Sequence, residues 1–281
     1  MTSELSTFAA RLREFIFISV AADVRRLTSD SGFQNEPPHV GCYEDKFNAL
    51  ALELFALQFK HNSAYRKICL SRRSEAKADE ARRATPQTTG HWSRIPAVPP
   101  AAFKELDMTS LAPGERTAVF HSSGTTEQKP SRHFHCADSL ATYEAALWSW
   151  FKKNCRLPIT DCRLAILTPP TAEAPHSSLV QMFEVARTRF NQPATAFLGR
   201  VEPDGAWALD FDAALESLAK NSKPETRNPK LLLGTAFSFV HLLDFLAEKN
   251  LRLTLPPGSR VMETGGYKGR SRSLPKAELH A

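Results

Sequence analysis

The run "KLLLGT", Lys230 to Thr235, passes without a break into "AFSFVHLLDFLAEKN". A strand that is apolar at consecutive positions needs cover on both faces, and helices on either side of a parallel sheet supply it. The same alternation runs through the second half of the chain. "RTAVFHS" reads as a strand and "DSLATYEAALWSWFKKN" as an amphipathic helix. "CRLAILTP" reads as a buried strand, "SSLVQMFEVARTRF" as a helix, and "SRVMETGG" as a strand ending in glycines. Ser178 and Gln181 stand in capping-box spacing at the start of that second helix. Together these predict an α/β fold with a mostly parallel sheet flanked by helices.

Upstream the pattern changes. Residues 1–84 read as a helical N-terminal segment, in which Phe47, Leu50, Leu54, Leu57 and Phe59 form a core-facing stripe near helical spacing. The charged "SRRSEAKADEARRA" reads as an exposed helix or a solvated linker. Proline and glycine punctuate "TPQTTGHWSRIPAVPP", residues 85–100, which reads as a connecting segment. Residues 101–281 then form one α/β nucleotide-binding part.

The chain is long enough, at 281 residues, for a sizeable core. Its formal net charge of +6 suits a polyanionic ligand such as a nucleotide, or simply a solvated basic face. No nucleic-acid-binding motif accompanies the charge, so nucleic acid is not an expected partner. The five cysteines, Cys42, Cys69, Cys136, Cys155 and Cys162, are scattered without a C-x-x-C pair, which fits a reducing compartment better than a disulfide framework. His133, His135 and Cys136 lie close together, but no second ligand cluster has zinc spacing, so no metal site is expected there. The longest apolar run near the N-terminus is too short to span a membrane and no cleavage site follows it. A cytoplasmic protein without a membrane span is the expectation.

"VFHSSGTTEQKPSRHFH", Val119 to His135, carries the first candidate site. In open α/β sheets ligands bind at the carboxyl ends of strands. Gly124 lets the backbone approach a ligand closely, while Ser122, Ser123, Thr125 and Thr126 offer hydroxyls and Lys129 a positive charge. Such a loop suits phosphate oxygens; on composition alone the alternative is a Ser/Thr-rich turn. It is not a P-loop, which needs G-x-x-x-x-G-K-[ST], nor a nucleophile elbow, because G-x-S-x-G is absent. A second candidate, "ETGGYKGRSR", Glu263 to Arg272, also follows an apolar strand. Gly265 and Gly266 permit close backbone approach. Lys268, Arg270 and Arg272 form a positive cluster facing phosphate, or else a solvated basic turn. If both loops end strands of one parallel sheet, they share one edge and one cleft.

These residues carry a resemblance. "SSGTTEQKPSRH" resembles the Ser/Thr/Gly-rich phosphate loop of the acyl-adenylate-forming superfamily, and more narrowly that of the acyl-protein synthetases of the LuxE type. "IPAVPPAAFKELD" resembles the lead-in segment of that family, "SSLVQMFE" its Ser-Ser-Leu-Val helix start, and "VMETGGYKGRSR" its Glu-Thr-Gly-Gly-x-Lys-Gly-Arg element. The likeness covers about residues 40 to 280, with the elements in the family's order. Glu127 departs from it, standing where many relatives have glycine. A carboxylate there repels a triphosphate unless it faces away or meets a metal ion.

The resemblance implies the N-terminal part of an adenylate-forming fold, with ATP and Mg2+ as cofactors. A fatty carboxylate attacks the α-phosphate of ATP to give acyl-AMP and pyrophosphate. The acyl group then passes to a thiol, in this family a cysteine of the protein itself, on its way to an acyl-reductase partner. Ser122 to Lys129 would hold the departing pyrophosphate, with Thr125, Thr126 and Lys129 in direct contact. The Gly265–Gly266 loop would pass the adenine and the acyl group. His176 would line the acyl pocket or be a plain cap-region histidine. Phe183, Phe237 and Phe239 would line an acyl tunnel or simply pack the core.

The family's Tyr-Gly-x-Thr-Glu, ribose Asp, lid lysine and acceptor cysteine would follow the Gly-Gly element, and none of the five cysteines occupies the acceptor's place. The expectation is a poor complete catalyst as the sequence stands. The alternative is a non-catalytic nucleotide- or acyl-binding remnant, or the N-terminal half of a split enzyme.

Overall fold

The computed structural model of the protein describes residues 2–28, 40–71, 85–122, 129–155, 162–193, 196–219, 228–267 and 271–279. The chain forms two compact units, Met1–Lys153 and Asn154–Ala281.

The first unit opens with three helices, α1 (Ser3–Thr28), α2 (Val40–His61) and α3 (Ser63–Ser71). The stripe expected along α2 is rotated. Phe55 is its buried residue, at 2 % exposure, and it packs with Tyr65 and Cys69 of α3 and with Phe59. Phe47 and Leu54 lie on the outer side. The cause is the covering partner: Ile95, Val98 and Met108 pack against this cluster, so the connecting segment after residue 85 helps close the core. The Tyr65 hydroxyl donates to Pro96 O at 2.9 Å, and Asn48 Oδ1 accepts from Trp92 N–H at 2.8 Å, which pins the same segment. α1 is tied to α5 (Ala137–Cys155) by Ser6, whose hydroxyl donates to Asp138 at 2.8 Å.

A short helix, α4 (Ala102–Glu105), leads into β1 (Ala118–His121) and β2 (Arg132–His135). Here the structure corrects the sequence. β1 is not a strand of the parallel sheet; it pairs β2 antiparallel, with Phe120 opposite His133 and His121 opposite Arg132. "RHFH" is polar and basic in composition. It is nevertheless a strand, because its backbone groups are satisfied by β1, and Arg116 and Arg132 both lie over the Phe134 ring.

The second unit contains the parallel sheet: β3 (Arg163–Ile166), β6 (Lys230–Thr235) and β7 (Arg260–Thr264), in the order β3-β6-β7. A parallel bridge from Ile166 to Phe197 extends it beyond β3. Every residue of β6 is buried, as its unbroken apolar run requires. Between β3 and β6 come α6 (Ser178–Arg189), the hairpin β4 (Gly199–Val201) and β5 (Trp207–Leu209), and α7 (Phe211–Ala219). Ala165, Leu167 and Leu232 form one core with Ala214 and Leu218 of α7 and with Phe239, Leu242 and Leu246 of α8 (Ala236–Glu248). A fully buried side chain of this size contributes about 1.5–3 kcal/mol.

Lys230 is the exception that fits. It is 2 % exposed, and its ammonium donates to the Ser217 and Leu218 carbonyls at the end of α7, where the unpaired carbonyls and the helix dipole favour a cation. The N-cap of α6 is Ser177, which accepts from Val180 N–H at 3.3 Å, one residue before the position read from the sequence.

Candidate functional site

The Ser/Thr/Gly stretch is the closed end of the β1–β2 hairpin. Ser122 N–H donates to Ser131 O at 3.1 Å, and Ser131 N–H donates to Ser122 Oγ at 3.0 Å. These bonds pin the two ends of the loop. Ser122 and Lys129 are exposed at its rim, while Ser123, Gly124, Thr125, Thr126 and Glu127 lie outside the described residues. A P-loop runs from a strand into a helix. Here the segment joins strand to strand, β1 to β2, with Lys129 exposed beside it.

Beneath the loop the hairpin carries a histidine pair. His133 stacks on Phe103, with ring centroids 5.0 Å apart, and its Nε2 lies 3.0 Å from Ser131 Oγ. His135 lies between Phe120 and Tyr143, with Nδ1 3.3 Å from Ser139 Oγ. Burial holds both imidazoles below the ordinary histidine range, and for His135 the neighbouring His133 adds to the effect. Both therefore favour the neutral form.

The second candidate lies at the carboxyl edge of the parallel sheet. β7 ends at Thr264, beside Thr235 of β6, and Gly265 turns the chain with φ of 82°. A side chain at Gly265 would be strained by that backbone. The turn borders a cleft of about 430 Å³ lined by Ala236, Glu263, Thr264, Gly265, Tyr267, Leu274 and Leu279. Ala236 is the first residue of α8. Thr235 caps that helix by accepting from Ser238 N–H at 3.2 Å, and its hydroxyl lies 2.6 Å from Ser238 Oγ. A threonine immediately before an apolar helical run is the signal in the sequence for this cap.

Gly266 is exposed beside Gly265, whereas Lys268 and Arg270 lie outside the described residues. Arg272 does not stand as part of a free positive cluster. Its guanidinium donates to both carboxylate oxygens of Asp244 on α8, at 2.7 to 3.3 Å, and so is committed to a partner. That bond raises the Arg272 pKa and holds the Asp244 carboxyl below its ordinary range. Phe183, Phe237 and Phe239 are buried, and Phe239 belongs to the sheet–helix core. His176 is exposed in the turn before α6.

The premise that placed both loops on one edge of one sheet does not hold, because β1 and β7 belong to different sheets.

The thiols bear on acyl transfer. Cys69, Cys136 and Cys162 are buried, and burial with the nearby Cys155 pushes the Cys162 thiol up to about 11. Burial also raises Cys155. A thiol must ionise to attack, so neither Cys155 nor Cys162 is primed as an acceptor. Among the described residues no group of three or more His, Cys, Asp or Glu side chains is arranged to hold a metal ion. No helix among them is long and apolar enough to cross a membrane.

Compared with protein-family models, with curated proteins and with solved structures, the chain gives no match.

Proposed function

We propose that the chain is an acyl-protein-synthetase-like protein that binds ATP and activates a fatty acid as acyl-AMP for transfer to a protein thiol. The observation that carries this reading is the Glu263–Gly265 element. It lines a cleft at the carboxyl edge of a parallel sheet, where open α/β sheets bind ligands, and its glycine adopts a positive φ that keeps the turn free of a side chain. The pinned hairpin loop with Ser122 and Lys129 at its rim supports a role in holding phosphate oxygens.

In this reading ATP supplies the activated phosphate. Lys129 and the hydroxyls of the loop from Ser122 to Thr126 neutralise and orient the pyrophosphate that leaves. Backbone groups at Gly265 and Gly266 approach the ligand in the cleft. No metal-ligand cluster is found among the described residues, so Mg2+ fits as an ion carried by the ATP phosphates rather than one caged by protein. The acyl group passes from acyl-AMP to a protein thiol, and Cys155 and Cys162, both raised in pKa by burial, are not primed to receive it. Localisation in a reducing cytoplasm belongs to the same reading.

The test is ATP–pyrophosphate exchange with and without a long-chain fatty acid. Exchange that requires the fatty acid supports acyl-adenylate formation. A chain that binds ATP but never exchanges supports the alternative of a nucleotide-binding remnant or a split enzyme.

A further inference from the structure

We propose that the segment from Ser271 to Leu279, which ends in the short helix α9 (Lys276–Leu279), is a strap latched across the carboxyl-edge cleft, and that the Arg272–Asp244 pair is its latch. The strap forms part of the cleft itself, since Leu274 and Leu279 line it opposite residues of β7 and α8. Three contacts of different kinds hold it. The Tyr267 hydroxyl donates to Leu274 O at 2.8 Å and ties the strap to the Gly-Gly turn. Leu279 packs against the sheet–helix core. Arg272 reaches both oxygens of Asp244 and ties the strap to α8.

These contacts are weaker than those beneath them. The Arg272 and Asp244 side chains are 54 % and 47 % exposed, so their pairing is screened by solvent and salt. β6, by contrast, is buried at every residue. A segment held by exposed contacts over a buried strand opens locally before the sheet unfolds. Opening uncovers Ala236 and frees the half-buried Thr264, so the strap controls entry to the cleft, and Arg272 acts on the strap rather than on an anion. The charged and polar groups around the latch are His241 near Asp244, and Glu278 and Tyr267 near Arg272.

The experiment places a thiol in the cleft of the full chain by Thr264→Cys and follows its maleimide labelling by peptide mass spectrometry. The second variant adds Asp244→Asn. The expected result is labelling about two- to five-fold faster with Asp244→Asn. High salt, about 1 M, should give a similar gain with the latch intact and little more without it. The buried native Cys162 is the internal control and its rate should not change. Exchanging the charges, Asp244→Arg with Arg272→Asp, should restore slow labelling. An unchanged rate with Asp244→Asn overturns the proposal. So does an equal acceleration at Cys162, which would mean general loosening. No nucleotide is in the assay, so its outcome is separate from that of the ATP reading.

Discussion

Ser131 donates its backbone N–H to Ser122 Oγ, and Ser122 donates its own N–H to Ser131 O, so two serines nine positions apart in the chain close the base of one loop. Ser131 is buried at 6 % exposure. Ser122→Ala removes the acceptor and leaves a largely buried N–H unpaired, which costs about 1–3 kcal/mol. Urea unfolding followed by tryptophan fluorescence should show a lower midpoint for Ser122→Ala. Ser122→Thr keeps an acceptor oxygen and should recover most of the loss.

Below the loop, His133 and His135 set a pH dependence. Their folded pKa values lie below 6.5, so the unfolded chain takes up protons first as pH falls. The stability of this hairpin is therefore fully present above about pH 6.5 and is lost as pH falls through the folded values. Urea midpoints at several pH values between 7.5 and 5 should decline toward acid. His135→Gln should flatten the decline, and an equal slope in that variant would remove His135 from the account.

Two glycines separate backbone strain from steric conflict. A Cβ on Gly199 would stand 2.6 Å from the Thr168 carbonyl carbon and 2.9 Å from Pro169 N, and backbone cannot yield cheaply. At Gly265 a Cβ meets Thr235 Cγ2 at 3.9 Å, an ordinary contact, and only the φ of 82° opposes it. Gly199→Ala should cost at least about 2–3 kcal/mol, and Gly265→Ala about 1–2 kcal/mol. Denaturant midpoints of the two variants give the order directly.

The Thr235 cap joins the core strand to the helix that borders the cleft. Thr235→Ala leaves Ser238 N–H without its partner in a buried place and should lower stability by about 1–2 kcal/mol. Thr235→Ser keeps the hydroxyl and should retain most of the stability in the same unfolding measurement.

Elements whose residues decide their own burial were legible in the sequence. Lys230–Thr235 and Ala236–Glu248 follow the apolar text closely, since most apolar positions there are covered. Elements decided by a distant partner were not. β2 is polar in composition and becomes a strand through β1. The buried line of α2 runs through Phe55 because a proline-rich segment some 40 residues later covers that side. The Gly-Gly turn was legible at the end of a strand, but the pairing of Arg272 was not, because its partner Asp244 stands 28 positions upstream on a helix. Leu274 and Leu279 carried no signal of a cleft, because that cleft exists only once the chain folds back after Gly266.

The central claim is that this chain binds ATP and uses the loop from Ser122 to Lys129 to hold its phosphates. Titration calorimetry of ATP into the chain and into Lys129→Ala tests it most directly. The account predicts measurable binding that weakens by about 10- to 100-fold in the variant, the loss of one charge-assisted contact worth about 1.5–3 kcal/mol. Equal affinity in the two proteins, or no binding by either, would contradict it.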